Sequence, residues 1–170
     1  MTLEERIDLM RHGRLLKILD NGSIVFCVDD AIRFIGDMDI DSDGGPNVDH
    51  DPCWQPDTTL HFNGHAINSQ IVPYVVAPIG LFEKVKGIGL GCKCIITHLK
   101  NKLSCDAVCA DLGPATKDGE GSAALARRLG VNPNSRTGGE DRPVVFYELY
   151  VGIPAIIDGV TYDLQPLHSR

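Results

Sequence analysis

Apolar and polar residues alternate with a period of two along most of this chain, and helical spacing is confined to two short stretches. Thr2-Leu-Glu-Glu5 has the form of a capping box and predicts a helix over residues 3–11. Residues 15–19 and 24–28 are apolar runs on either side of Asp20-Asn21-Gly22, whose Asn-Gly pair suits the tight turn of a hairpin. Residues 31–41 read as extended, and 42–58, rich in Gly, Pro, Asn and Asp, as a long loop. Residues 71–78 form a strand bounded by prolines, which puts it at a sheet edge or delays its start. After a glycine-rich turn at 83–91, residues 92–98 and 104–110 make a second hairpin about Asn101-Lys102. The second helix spans 122–129, with Ser122 as N-cap and Gly130 as its stop. Strands at 144–151 and 160–164 complete the chain. Many short strands with Gly and Pro turns predict a mainly β protein with few short helices, built as a barrel.

One strand carries an unusual pattern. In DMDIDSDGG, residues 37–45, aspartates stand at 37, 39, 41 and 43. Asp39-x-Asp41-x-Asp43-Gly44 matches the start of a calcium loop, but the twelfth position, where a bidentate Glu belongs, is His50. The flank also alternates as a strand does. On a strand, Asp37, Asp39 and Asp41 share one face while Met38 and Ile40 fill the core behind them. Clustered like charges repel, so such a face belongs where water, cations or a polar ligand meets it. A solvated acidic edge that deters strand pairing explains the spacing equally well.

The balance of charges narrows the choice. A net charge of −7 argues against nucleic acid as a partner. No apolar run approaches the roughly 20 residues needed to span a bilayer, and the polar N-terminus lacks the features of a secretory signal. The expectation is a soluble monomer made without a Sec signal, either cytoplasmic or phage-associated, with no membrane insertion. With no export signal, the cysteines at 27, 53, 92, 94, 105 and 109 are expected as free thiols. Cys92-x-Cys94 and Cys105-x3-Cys109 lack the two-residue spacing of a zinc knuckle, and His50, His61, His65 and His98 form no ligand pattern, so no metal and no cofactor is assigned.

Residues 110–130, ADLGPATKDGEGSAALARRLG, carry the candidate chemistry. Asp111 follows an apolar strand that Gly113-Pro114 breaks. Glu120 lies between two glycines just ahead of a helix N-cap, where a carboxylate is favoured as an anion. Two carboxylates facing each other across a groove are what glycoside hydrolysis requires. The plainer alternative has Asp111 capping a turn and Glu120 paired with Arg127 or Arg128.

Three blocks in order resemble the fungal-type chitosanases of glycoside hydrolase family 75. They are DMDIDSDG with QPDTTL at 55–60, then VPYVVAP at 72–78, then the block from 110 to 130. The resemblance covers residues 24–130. It implies an endo-acting enzyme that cuts β-1,4-linked glucosamine chains with inversion, and it places the two essential acids at Asp111 and Glu120. The third block is also similar, more weakly, to double-psi β-barrel lytic enzymes, which implies a six-stranded barrel and favours Asp111 as the acid and Glu120 as the base.

The expectation is therefore a single catalytic domain over 1–170, with residues 1–13 as a helical extension, acting on chitosan or a cell-wall glycan. Asp37, Asp39 and Asp41 would bind sugar amines or hydroxyls, and Trp54 would stack on a ring or plug the core. Tyr74 reads as structural. Two alternatives stay open. One is a phage or bacterial peptidoglycan-cleaving lysin (a muramidase or lytic transglycosylase) on the same scaffold. The other is a non-catalytic glycan-binding or structural barrel.

Overall fold

The computed structural model describes residues 1–20 and 22–167. Helix α1 (Leu3–Arg11) opens the chain with the predicted capping box: Thr2 accepts from the Glu5 amide and the Glu5 carboxylate accepts from the Thr2 amide. Strands β1 (Arg14–Ile18) and β2 (Ile24–Val28) pair antiparallel as the first hairpin. Gly22 takes the positive φ expected of the turn, at 84°, and the Asn21 part of that expectation lies outside the described residues. Then follow β3 (Ala31–Asp41), the two-residue strands β4 (His61–Phe62) and β5 (His65–Ala66), and β6 (Tyr74–Pro78). The second hairpin is β7 (Cys92–His98) with β8 (Leu103–Gly113). Strand β9 (Glu120–Ser122) leads directly into α2 (Ala123–Arg128), and β10 (Glu140–Ile157) and β11 (Val160–Tyr162) close the chain.

Six of these strands close on themselves. Their order is β3-β9-β6-β8-β7-β10, and β10 returns to pair with β3. Two pairs, β3–β9 and β6–β8, run parallel among antiparallel neighbours. The result is the mainly β, closed six-stranded barrel that was expected. Closure removes the exposed edges that a flat sheet of this size would present.

The interior is apolar. Met38 and Ile40 point into it, as the alternation in β3 requires, with Phe34, Val75, Ile96, Val145, Tyr147 and Leu149. Cys92, Cys94 and Cys109 are also fully buried there, and the described cysteines are all free thiols. A second, smaller cluster lies on the outer face of β6 and β8. There Leu60 and Ile67 from the loop after β3 fold back over Tyr74, Val76, Val108 and Ala110. Helix α1 is held to the barrel by Arg6, whose Nε lies 2.8 Å from the fully buried Glu148, which also accepts from Arg33 and Tyr150.

Three local expectations change. Strand β6 starts late, after Pro73, but it is no edge. It lies between β9 and β8 with all five residues buried, because Pro73 precedes the ladder and Pro78 ends it. The loop after β3 continues past residue 58 to 73, broken only by the β4–β5 hairpin. Strand β10 has 18 residues rather than the eight expected, since it serves as a wall for β3 on one side and β7 on the other before reaching β11.

Candidate active site

Three strands lay acidic residues at one level of the outer barrel face, with a valine of a fourth between two of them. Residue Asp39 of β3 stands opposite Glu120 of β9, Glu120 stands opposite Val76 of β6, and Val76 stands opposite Asp111 of β8. Directly opposed residues on neighbouring strands share a face. Glu120 and Asp111 therefore flank Val76, with backbones two strand spacings apart, roughly 9.5 Å.

Asp111 reaches this face through an irregularity. Val108 and Ala110 belong to the outer cluster, while Cys109 belongs to the interior. Strict alternation would turn Asp111 inward, among the buried thiols. The register slips instead: Val75 stands opposite Cys109, and Val76 stands opposite Asp111. Ala110 is the extra residue of a bulge, and the bulge re-aims the Asp111 side chain outward. There its Oδ1 accepts from the Thr59 amide at 3.0 Å, the Thr59 hydroxyl at 2.6 Å and the Leu112 amide at 2.9 Å, which fixes the carboxyl's orientation.

Glu120 lies in a strand. It is the first residue of β9, a three-residue strand that fits the gap between β3 and β6. Gly119 is required beside it. Its φ is 73°, and a Cβ there would meet the Asp37 carbonyl oxygen at 2.6 Å. Glu120 is also no stabilised anion. Burial, then the charge of Asp41, with smaller contributions from Asp39 and Asp111, push its carboxyl up to about 7, although Lys117 pulls the other way. The six-residue helix behind it does not offset that. The arginine pairing considered above is absent: Arg127 binds Gln70, and Arg128 binds Asp158.

The aspartate stretch divides in two. Asp41, Asp43 and Asp111 converge, each offering a carboxylate oxygen within 4.8 Å of the others, close enough to share one cation. Asp41 is buried, and its Oδ2 accepts from the Tyr74 hydroxyl at 2.9 Å while its Oδ1 accepts from the Asp43 amide at 3.0 Å. Burial raises its pKa to about 6, against those two hydrogen bonds and with repulsion from Asp111 and Asp51. Burial and the charge of Asp41 raise Asp43 to about 7. Asp39 is half-exposed and pairs with Lys117, Nζ to Oδ2 at 2.8 Å. Asp37 packs against Gly119. The calcium-loop trio of Asp39, Asp41 and Asp43 is thus not the set that converges.

Trp54 is half-buried beside this wall. Its indole Nε1 donates to the Gly45 carbonyl at 2.9 Å, and the next residue, Gln55, donates its amide to Asp43 at 2.6 Å. Tyr74 is structural as expected, since its ring is fully buried and its hydroxyl steadies Asp41. Of the histidines, His98 is buried against Glu140 and His61 pairs with Asp57 at the surface. Two surface concavities, one around Met10, Ile24 and Phe26 and one around Leu16, Ile79 and Leu81, include no residue of the carboxylate wall.

Sequence reasoning missed Asp43, Thr59 and Lys117 as parts of the site. Asp43 was visible as the fourth member of the alternating run. Lys117 stands three residues before Glu120, a spacing with no meaning until the loop conformation is known. Nothing in QPDTTL marks Thr59 as a partner of a residue 52 positions away. No protein-family model matches the chain, and no curated protein is significantly similar to it.

Proposed function

We propose that this protein is an endo-acting glycoside hydrolase that cuts β-1,4-linked amino-sugar polysaccharide of the chitosan kind with inversion, using Asp111 and Glu120. The observation that carries this reading is the placement of the two carboxylates on either side of Val76, on the outer barrel face and continuous with an aspartate wall. An inverting pair stands about 6.5–9.5 Å apart, to leave room for water, while a retaining pair stands near 5 Å. A two-strand separation supports the wider class.

The raised pKa of Glu120 supports the reverse of the roles that the resemblance favoured. Glu120, near 7, keeps its proton at mildly acidic pH and is suited to be the acid. Asp111, held by Thr59 and Leu112, is suited to be the base. In the proposed reaction Glu120 gives its proton to the glycosidic oxygen as the bond from that oxygen to C1 breaks. A water attacks C1 from the opposite face and passes a proton to Asp111, leaving an inverted hemiacetal and a free 4-hydroxyl. Asp39, Asp41 and Asp43 would meet the ammonium groups of neighbouring glucosamine units, and Trp54 would stack on a ring.

The test is release of reducing ends from chitosan, chitin and peptidoglycan, by the parent and by Asp111→Asn and Glu120→Gln. Cleavage of chitosan by the parent, lost by at least about a hundredfold in each variant, is the expected result. Cleavage of peptidoglycan alone would make the protein a lysin acting through the same pair. No cleavage of any glycan would leave a binding or structural barrel, and full activity in both variants would discard the assignment of the acids.

A further inference from the structure

The two-carboxylate scheme leaves one group of the site unused. Lys117 Nζ lies 2.8 Å from Asp39 Oδ2 and 3.9 Å from Glu120 Oε2. Its backbone belongs to the segment joining β8 to β9, and that segment is tied down on both sides. The Asp20 amide donates to the Thr116 carbonyl at 3.2 Å, Lys17 donates to the Ala115 carbonyl, and the Asp39 amide donates to the Gly119 carbonyl at 2.7 Å. The Lys117 side chain, by contrast, is 45% exposed and its partner Asp39 is 51% exposed. An ion pair so open to water is weak and exchanges readily.

The charges that act on Glu120 besides Lys117, those of Asp41 and Asp39 on β3 and of Asp111 on β8, are all negative. Asp37 and Asp39 also face Lys117, and Asp43 and Asp51 lie beside Asp41 farther along the wall. Lys117 is the cation that forms ion pairs with this wall among the described residues. A primary ammonium placed between two carboxylates is chemically what a protonated 2-amino sugar would present at the same spot.

We propose that Lys117 is a positioning and specificity residue of this site: its ammonium bridges Asp39 and Glu120 in the free protein, and the ammonium of a bound amino-sugar ring displaces it from Asp39 while it stays beside Glu120. The proposal rests on the glycosidase reading above. It makes Lys117 an internal competitor for cationic sugar, and also the counter-charge that sets the pH at which Glu120 gives up its proton. An N-acetylated ring carries no charge to exchange for the lysine and leaves the pair with Asp39 intact.

The experiment compares the parent with Lys117→Met and Lys117→Arg, on glucosamine oligomers and on N-acetylglucosamine oligomers, across a range of pH. Thermal melts first establish that all three proteins are folded. In Lys117→Met, KM for the amine-bearing oligomers should fall by about two- to fivefold, the scale of one exposed ion pair. KM for the acetylated oligomers should stay unchanged. The alkaline limb of kcat should move to higher pH, since Glu120 loses its neighbouring cation. Lys117→Arg should restore both properties, which a purely structural role would not require. A folded Lys117→Met with the parent's KM for both sugars and the parent's pH profile overturns the proposal while the glycosidase reading stands. A parent that cleaves neither oligomer nor polymer removes that reading and this proposal with it.

Discussion

Replacing Glu120 with glutamine should stabilise the protein at alkaline pH even as it abolishes turnover. The carboxyl is four-fifths buried against Asp41, Asp39 and Asp111, and its pKa is raised from an ordinary 4.5 to about 7. A raised pKa means that the folded state keeps a proton that the unfolded chain has already released. Stability from this group is therefore complete below about pH 4.5 and is lost as pH rises through about 7. At about 1.4 kcal/mol for each pH unit of displacement, the ionised side chain costs the fold about 3 kcal/mol above pH 7. Glutamine keeps the shape and removes the charge. Urea unfolding of parent and Glu120→Gln at pH 4 and pH 8 should give nearly equal stabilities at the lower pH. At the higher pH the variant should be more stable by about 2–3 kcal/mol. An equal difference at both values, or a less stable variant at pH 8, would refute the claim that Glu120 is a carboxylate under repulsion. Sites that hold reactive groups in strained surroundings commonly trade stability in this way.

Two further outcomes follow from particular contacts. Glu148 is fully buried and Arg33 nearly so, so Glu148→Leu leaves two guanidinium groups without their carboxylate and should cost about 3–5 kcal/mol in urea unfolding, with α1 released from the barrel. Thr59→Val removes the hydroxyl that donates to Asp111 at 2.6 Å but leaves the amide bond at 3.0 Å; kcat on chitosan should fall about tenfold, the scale of one hydrogen bond to a charged group, with KM little changed.

The parts of the site differ in how visible they are in the sequence. The aspartate wall is legible because strand periodicity is a local property: once 31–41 is extended, Met38 and Ile40 must face away from Asp37, Asp39 and Asp41. The nomination of Asp111 and Glu120 came from short motif blocks. Their relation to each other was not legible, because it passes through Val76, a residue in a third strand. The sequence favours an anionic Glu120, since a helix N-cap two residues on is visible in it, while the burial and the carboxylates of β3 and β8 that raise its pKa are not.

The general division has a physical basis. Capping of α1 by Thr2 and Glu5, the two hairpins, the extent of β3 and the stop at Gly130 rest on interactions between residues a few positions apart, so the order of amino acids suffices to determine them. Three features depend on closure of the barrel. Strand β9 has no apolar alternation of its own and is a strand only because β3 and β6 leave a gap for it. Strand β10 extends to 18 residues because ladders form along both its edges. Asp111 faces outward only because β6 and β8, meeting in parallel, accommodate Ala110 as a bulge. Local periodicity assigns Asp111 to the barrel interior, and the pairing of distant strands turns it to the outer side, still buried, beside Glu120 and the aspartate wall.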